Sequence, residues 1–158
     1  MTPGAPLTRD SSLGYQVNHL ARLMERGLRD RIAPLGVVPG QFAQLLALYE
    51  ADGLTQAELC ARVQIEQPTM ANTLARMERD GLITRSPDPQ DRRRSLVMLT
   101  PRARELENEL VSAARAVNAL TTGGLSEDHV AVLMAALAAA IDHLETKSIG
   151  TSQQPFGS

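Results

Sequence analysis

Hydrophobic positions recur along most of this chain at the three-to-four-residue spacing of helices that are apolar on one face. Leu13, Val17, Leu20, Met24 and Leu28 mark the first stretch. They predict a helix from about Ser12 to about Ala33, because Pro34 disfavours helical backbone in the residue before it. After the connector "APLGVVPGQ", a second helix is expected from about Pro39 to Ala51, with Phe42, Leu45, Leu46 and Tyr49 inward and Asp52-Gly53 as its stop. "TQAE", Thr55 to Glu58, has the form of a capping box: the threonine hydroxyl accepts the Glu58 amide and the glutamate reaches back. It opens a short helix ending near Val63. "QIEQ" turns the chain, and "QPTMANTLARMERDG" carries Met70, Leu74 and Met77 on the inner face of a fourth helix capped by Gly81.

The period then changes. "LITR" and "SLVMLT" read as strands, Leu96, Met98 and Thr100 alternating in the second with Val97 and Leu99. With "SPDPQDRRR" between them they predict a β-hairpin with a long polar tip. Thr100-Pro101 has the signature of a helix start, a capping hydroxyl followed by proline. Leu106, Leu110, Ala113, Val117 and Leu120 predict one long helix up to Gly123-Gly124. Ser126 caps a last helix, where Glu127 and Asp128 suit the positive end and Val130, Leu133, Met134, Leu137, Ile141 and Leu144 form the stripe. Residues 1–11 are expected to be disordered and 148–158 to be a flexible tail. The expected fold is mainly α with a small β-wing, in a single unit over 12–147.

Composition narrows the class. Hydrophobic residues make up 43% and aromatics only 3%, without tryptophan, so the core must be aliphatic, which suits packed helices. No apolar run reaches the roughly 18 residues that span a bilayer. "MTPGAPLTRDSS" lacks the basic-then-apolar order of a signal peptide. A cytoplasmic protein without a membrane partner is the expectation. The single cysteine, Cys60, cannot form an internal disulfide or a zinc site. Beside Leu59 and Val63 it reads as a small buried hydrophobe, with redox sensing through Cys60 as the alternative. The net charge of −2 is unevenly spread. Arg76 to Arg104 holds eight arginines against Glu78, Asp80, Asp88 and Asp91, while the rest of the chain is acidic. A basic centre in an acidic chain is a surface for one polyanion.

Two short helices joined by a tight turn and followed by a hairpin describe a winged helix-turn-helix over about 39–100. The second helix of such a unit enters the major groove. Gln67, Thr69 and Asn72 have the amide and hydroxyl groups that read base edges. Arg76, a turn further on, suits phosphate. In the wing, Arg92, Arg93 and Arg94 cannot all point inward. A strand-like course puts Arg92 and Arg94 on one face and Arg93 on the other, so one reaches a narrow minor groove and the others meet phosphate or carboxylate. The stripes over about 12–33 and 101–147 are too long for a small winged domain to cover, which predicts dimerisation helices. Tyr15, Asn18, His19 and Arg22 share one helical face and together suit an aromatic carboxylate. His129 and His143 lack ligand spacing, so no metal site is expected. No Ser/His/Asp set, phosphate loop or paired carboxylates point to an enzyme, and no cofactor is implied.

Residues from about 13 to 145 resemble the MarR (multiple-antibiotic-resistance regulator) family of winged-helix transcriptional regulators. The resemblance rests on "LTQAELCARVQIEQPTMANTLARMERDGLITR" and on "DPQDRRRSLVMLT", which is similar to the family's Asp-x-Arg wing signature followed by a strand ending Leu-Thr. It implies a ligand-responsive homodimer on double-stranded DNA, often a repressor of a pseudo-palindromic operator released by a small-molecule effector. It also implies that Arg93 reaches the minor groove, with Asp91 bracing the wing, and that a pocket lies between dimerisation helices and winged domain. Two positions depart from the pattern. Gln64-Ile65-Glu66 stands where Gly-Val-Ser is common, and Ala103 replaces a glycine after the wing strand. A protein-interaction module of the same fold, without DNA binding, is the alternative from another class.

Overall fold

A computed structural model describes residues 6–151, and within them the helical periodicity is realised as seven α-helices and three short strands. They run α1 Leu13–Ile32, a 3-10 turn Ala33–Leu35, α2 Pro39–Glu50, β1 Leu54–Thr55, α3 Gln56–Val63, α4 Gln67–Arg79, β2 Ile83–Pro87, β3 Ser95–Leu99, α5 Pro101–Glu105, α6 Glu107–Thr122 and α7 Glu127–Thr151. The chain divides into two compact units, Met1–Asn118 and Ala119–Ser158. The expected disorder of 1–11 and looseness of 148–158 fall partly outside the described residues. Within them, Thr8 and Ser11 bond each other, and α7 continues to Thr151.

The core of the first unit is aliphatic, as the composition requires. Leu45, Leu48, Leu59, Met70, Leu74, Met77, Leu82 and Ile83 are buried, joined by Val97 and Leu99 from β3. Met70, Leu74 and Met77 sit on the inner face expected of α4. Cys60 is half-buried and packs against this core. On α2 the inner face differs from expectation: Leu46 is exposed, whereas Gln41, Gln44 and Leu48 are buried. The two glutamines mask the apolar period. Gln41 is buried because it has work there: its amide accepts from the Val38 N–H at 3.2 Å and donates to Asp80 Oδ2 at 2.7 Å.

The sheet has the order β1–β3–β2, all antiparallel, with Leu54 opposite Val97 and Ile83 opposite Leu99. β1 has no signature of its own, since two residues carry no period; pairing with β3 creates it. Pro87 is tolerated because β2 is an edge strand. The single helix expected from Pro101 is two helices with a break at Leu106. The Tyr49 hydroxyl donates to the Ala103 carbonyl at 2.7 Å, which inserts a side chain into the helical ladder there. Thr100 caps α5 as expected, accepting from the Ala103 N–H at 3.1 Å.

In the second unit, α7 leaves Val132, Met134, Leu137, Ile141 and Leu144 exposed. Its segment Glu127–Lys147 is long and apolar enough, by length and composition, to cross a membrane. The expectation from uninterrupted runs differs because alanine and aliphatic residues outweigh the few charges when averaged along the whole helix.

Candidate nucleic-acid interface

The helix-turn-helix is built by local chemistry. The Thr55 hydroxyl accepts the Glu58 N–H at 3.3 Å, and Glu58 Oε2 accepts the Thr55 N–H at 2.7 Å, so α3 begins at the expected box. The Thr55 N–H and then its hydroxyl hold the Glu58 carboxyl below its ordinary range, with smaller help from Arg94 and Arg62. α3 ends at Gln64, whose φ of 57° is left-handed. The turn keeps the geometry that glycine usually supplies and does so with a glutamine. Glu66 precedes α4 without a side-chain cap, and Pro68 sits in the first turn. At the far end Gly81, φ 69°, takes the left-handed residue after the helix, where an L side chain would be strained.

With the inner face of α4 buried, Gln67, Thr69, Asn72 and Arg76 are all exposed; Thr69, Asn72 and Arg76 share the outward face of the helix, whereas Gln67, three residues before Met70 and seven before Leu74, stands in the first turn in line with the inner stripe. Gln67 is oriented from α3, since Gln56 Nε2 donates to Gln67 Oε1 at 2.9 Å. The start of α4 and the root of the wing meet at a notch of about 390 Å³, lined by Gln56, Gln67, Arg85 and Arg94 among others.

The wing tip is a pair of side-chain-capped turns. Asp88 Oδ1 accepts the Gln90 N–H at 2.9 Å, and Asp91 Oδ1 accepts the Arg93 N–H at 3.0 Å. The Arg94 N–H donates to the Asp91 carbonyl at 2.9 Å. Residues 91–94 therefore form a tight turn, which corrects the expected strand-like alternation of the three arginines. Arg92 and Arg93 occupy the two central positions and are exposed. Arg94 lies between two carboxylates, 3.6 Å from Glu58 and 3.8 Å from Asp88. Asp91, expected to brace the wing, contacts the backbone of Arg93.

Four positioning acids escaped the sequence reading: Asp52, Glu58 in its second role, Asp80 and Asp88. Asp52 Oδ1 accepts from the N–H of Gly53 and of Leu99, each at 2.9 Å, and Oδ2 pairs with Arg104. Asp80 ties the end of α4 to Gln41, and its carbonyl accepts from Arg102 Nη1 at 2.6 Å. Only Asp88 had a local signal. An aspartate two residues before an unengaged N–H, between prolines, is an Asx-turn former.

Tyr15, Asn18, His19 and Arg22 are exposed on α1, with the Tyr15 and His19 rings stacked at 6.0 Å. None of them lines the apolar cavity of about 490 Å³ between α1, α2 and α6. That cavity is walled by Met24, Leu28, Phe42, Leu46 and Val111, with Arg115 at its side.

An exposed polar helix face beside an arginine-tipped hairpin defines a winged-helix DNA-binding protein. A profile of the MarR family matches residues 35–94. The YwoH transcriptional regulator of Bacillus subtilis is 30% identical over 96 residues, which are 61% of this chain and 69% of that one. CouR, a repressor solved on a 23-mer DNA duplex, is 27% identical with a TM-score of 0.72, covering 87% of this chain and 99% of its own. Bordetella bronchiseptica BpsR, whose DNA binding is regulated by 6-hydroxynicotinic acid, is 25% identical with a TM-score of 0.79, covering 87% and 99%. The chain belongs to the MarR family of transcriptional regulators.

Proposed function

We propose that this chain is a cytoplasmic, homodimeric repressor of a pseudo-palindromic operator, released by an aromatic carboxylate. The observation that carries the reading is the shared exposure of Gln67, Thr69, Asn72 and Arg76 on α4 with Arg92 and Arg93 on the adjacent wing turn. α4 lies in the major groove, with the amides and the hydroxyl at base edges and Arg76 at phosphate; Arg93 enters the minor groove and Arg92 meets backbone. A second copy covers the apolar stripes of α1 and α7, whose Leu13, Val17, Leu20, Leu137, Ile141 and Leu144 are too exposed for an isolated chain.

The effector occupies the cavity of α1, α2 and α6, where apolar walls suit a ring and Arg115 a carboxylate. That DNA binding of BpsR responds to a small aromatic acid supports this class. The bound form has a half-site spacing that no longer matches a DNA turn.

The test begins with selection of bound duplexes from random DNA, followed by anisotropy titration of the selected duplex. Arg93→Ala weakens binding and lowers the salt dependence, and Asn72→Ala also relaxes base preference. Benzoate and 6-hydroxynicotinic acid are then titrated against the complex. Loss of their effect in Arg115→Gln places the effector in the cavity; loss in Arg22→Gln alone places it on the Tyr15–Arg22 face. Unchanged affinity at saturating acid refutes the effector class.

A further inference from the structure

The three wing arginines have the same chemistry and different surroundings. The guanidinium of Arg94 stands between Glu58 Oε1 at 3.6 Å and Asp88 Oδ2 at 3.8 Å. Two carboxylates around one cation leave a local excess of negative charge, so a phosphate approaching Arg94 meets repulsion from both. Asp88 is buried, the only buried acid among the described residues. Its N–H donates to the Arg94 carbonyl at 3.0 Å, while its other oxygen holds Gln90. Arg94 is thus tied to Asp88 through both backbone and side chain, which closes the tip on itself.

The second tie runs out of the wing. Glu58 is fixed in the first turn of α3 by its bonds to Thr55, and Thr55 is paired with Leu96 in the sheet. Oε2 serves the cap and Oε1 serves Arg94, so one carboxylate fastens the start of the helix-turn-helix and the root of the wing together.

We infer that Arg94 is a positioning residue, a latch that joins the wing tip to α3 through Asp88 and Glu58, and that it does not itself bind phosphate. The latch presents the turn of Arg92 and Arg93 at a set place relative to α4 before DNA arrives. Less ordering is then needed on binding. This rests on the reading of Arg93 as the groove contact and adds a role for its neighbour.

The experiment compares wild type, Arg93→Ala, Arg94→Gln, Glu58→Gln and the Glu58→Gln/Arg94→Gln pair on the selected duplex across a range of salt. Glutamine at 58 still completes a capping box, so this variant removes the charge and keeps the helix start. Breaking half-exposed ion pairs is expected to weaken binding about three- to fivefold in Arg94→Gln and in Glu58→Gln. The double variant is expected to be no weaker than the worse single one, because both remove the same latch. The slope of log affinity against log salt stays at the wild-type value in all three, whereas Arg93→Ala lowers it by about 0.9. Hydrogen exchange in the free protein is expected to quicken at the wing amides of residues 88–95 in Glu58→Gln. A slope lowered in Arg94→Gln, additive single effects, tighter binding by Glu58→Gln or unaltered wing exchange would each overturn the latch. An unchanged slope in Arg93→Ala would instead overturn the groove assignment and leave the Arg94 comparisons intact.

Discussion

Replacing Asp52 with alanine tests how the wing strand is held to the helical core. One carboxylate oxygen accepts two backbone N–H groups, from Gly53 and Leu99, and the other pairs with Arg104. Leu99 is buried, so in Asp52→Ala its N–H has no water to turn to. An unmet buried donor costs about 1–3 kcal/mol. Losing the Arg104 pair adds at most about 1 kcal/mol, since that arginine is half exposed. The expected loss is therefore about 1–4 kcal/mol, or roughly 3–12 °C in Tm for a chain of this size. Asp52→Asn keeps an oxygen for both N–H groups and loses only the ionic part, so about 1 kcal/mol is expected. Urea unfolding of the three proteins at one fixed concentration measures the differences. If asparagine destabilises as much as alanine, charge and not N–H capture holds β3, and the reasoning fails. A loss below about 0.5 kcal/mol in the alanine variant would refute it outright.

Two further predictions concern single residues. Gln64→Gly releases the left-handed strain of the turn, worth about 1–2 kcal/mol, against about 0.5–1 kcal/mol of added chain entropy, so a gain of up to about 1 kcal/mol is expected in urea unfolding; a loss of stability would show that the glutamine side chain is used there. Burial, followed by the nearby Glu107 carboxylate, pushes the Tyr49 phenol up to about 12. Its folded pKa is raised, so its contribution to stability is complete below the ordinary tyrosine value and is lost as pH climbs from there through about 12. An absorbance titration of Tyr15→Phe is expected to show the remaining tyrosine ionising late and together with alkaline unfolding. Ionisation near 10 in the folded protein would contradict the burial argument.

The legible part of this protein is the part controlled by neighbours in sequence. The inner face of α4, the Thr55–Glu58 box, the Thr100 cap and the left-handed Gly81 follow from side chains within one helical turn of each other. The outward placing of Thr69, Asn72 and Arg76 follows from the same period, because Met70, Leu74 and Met77 take the opposite face; Gln67 lies in line with that buried stripe and is exposed in the first turn, beside Gln56. The wing motif was legible as a motif, while its geometry was not. Alternation along a strand assigned the arginines to faces, and Asx turns assigned them otherwise.

Contacts between distant segments decided the rest. β1 exists because β3 lies beside it, and the break at Leu106 sits where Tyr49, over fifty positions away, engages the Ala103 carbonyl. Gln41 is buried because Asp80 is there to receive it, and Arg94 faces Glu58 because the sheet brings the wing root to α3. Hydrophobic period and capping chemistry act over one turn of chain, so sequence alone determined where most helices begin and which face α4 buries, and it missed the buried glutamines of α2 and the break at Leu106. Partners for buried polar groups are chosen by whatever the packed core places within about 3 Å. Only the tertiary structure could therefore separate the exposed Arg92 and Arg93 from Arg94, which is held between two carboxylates of the protein itself.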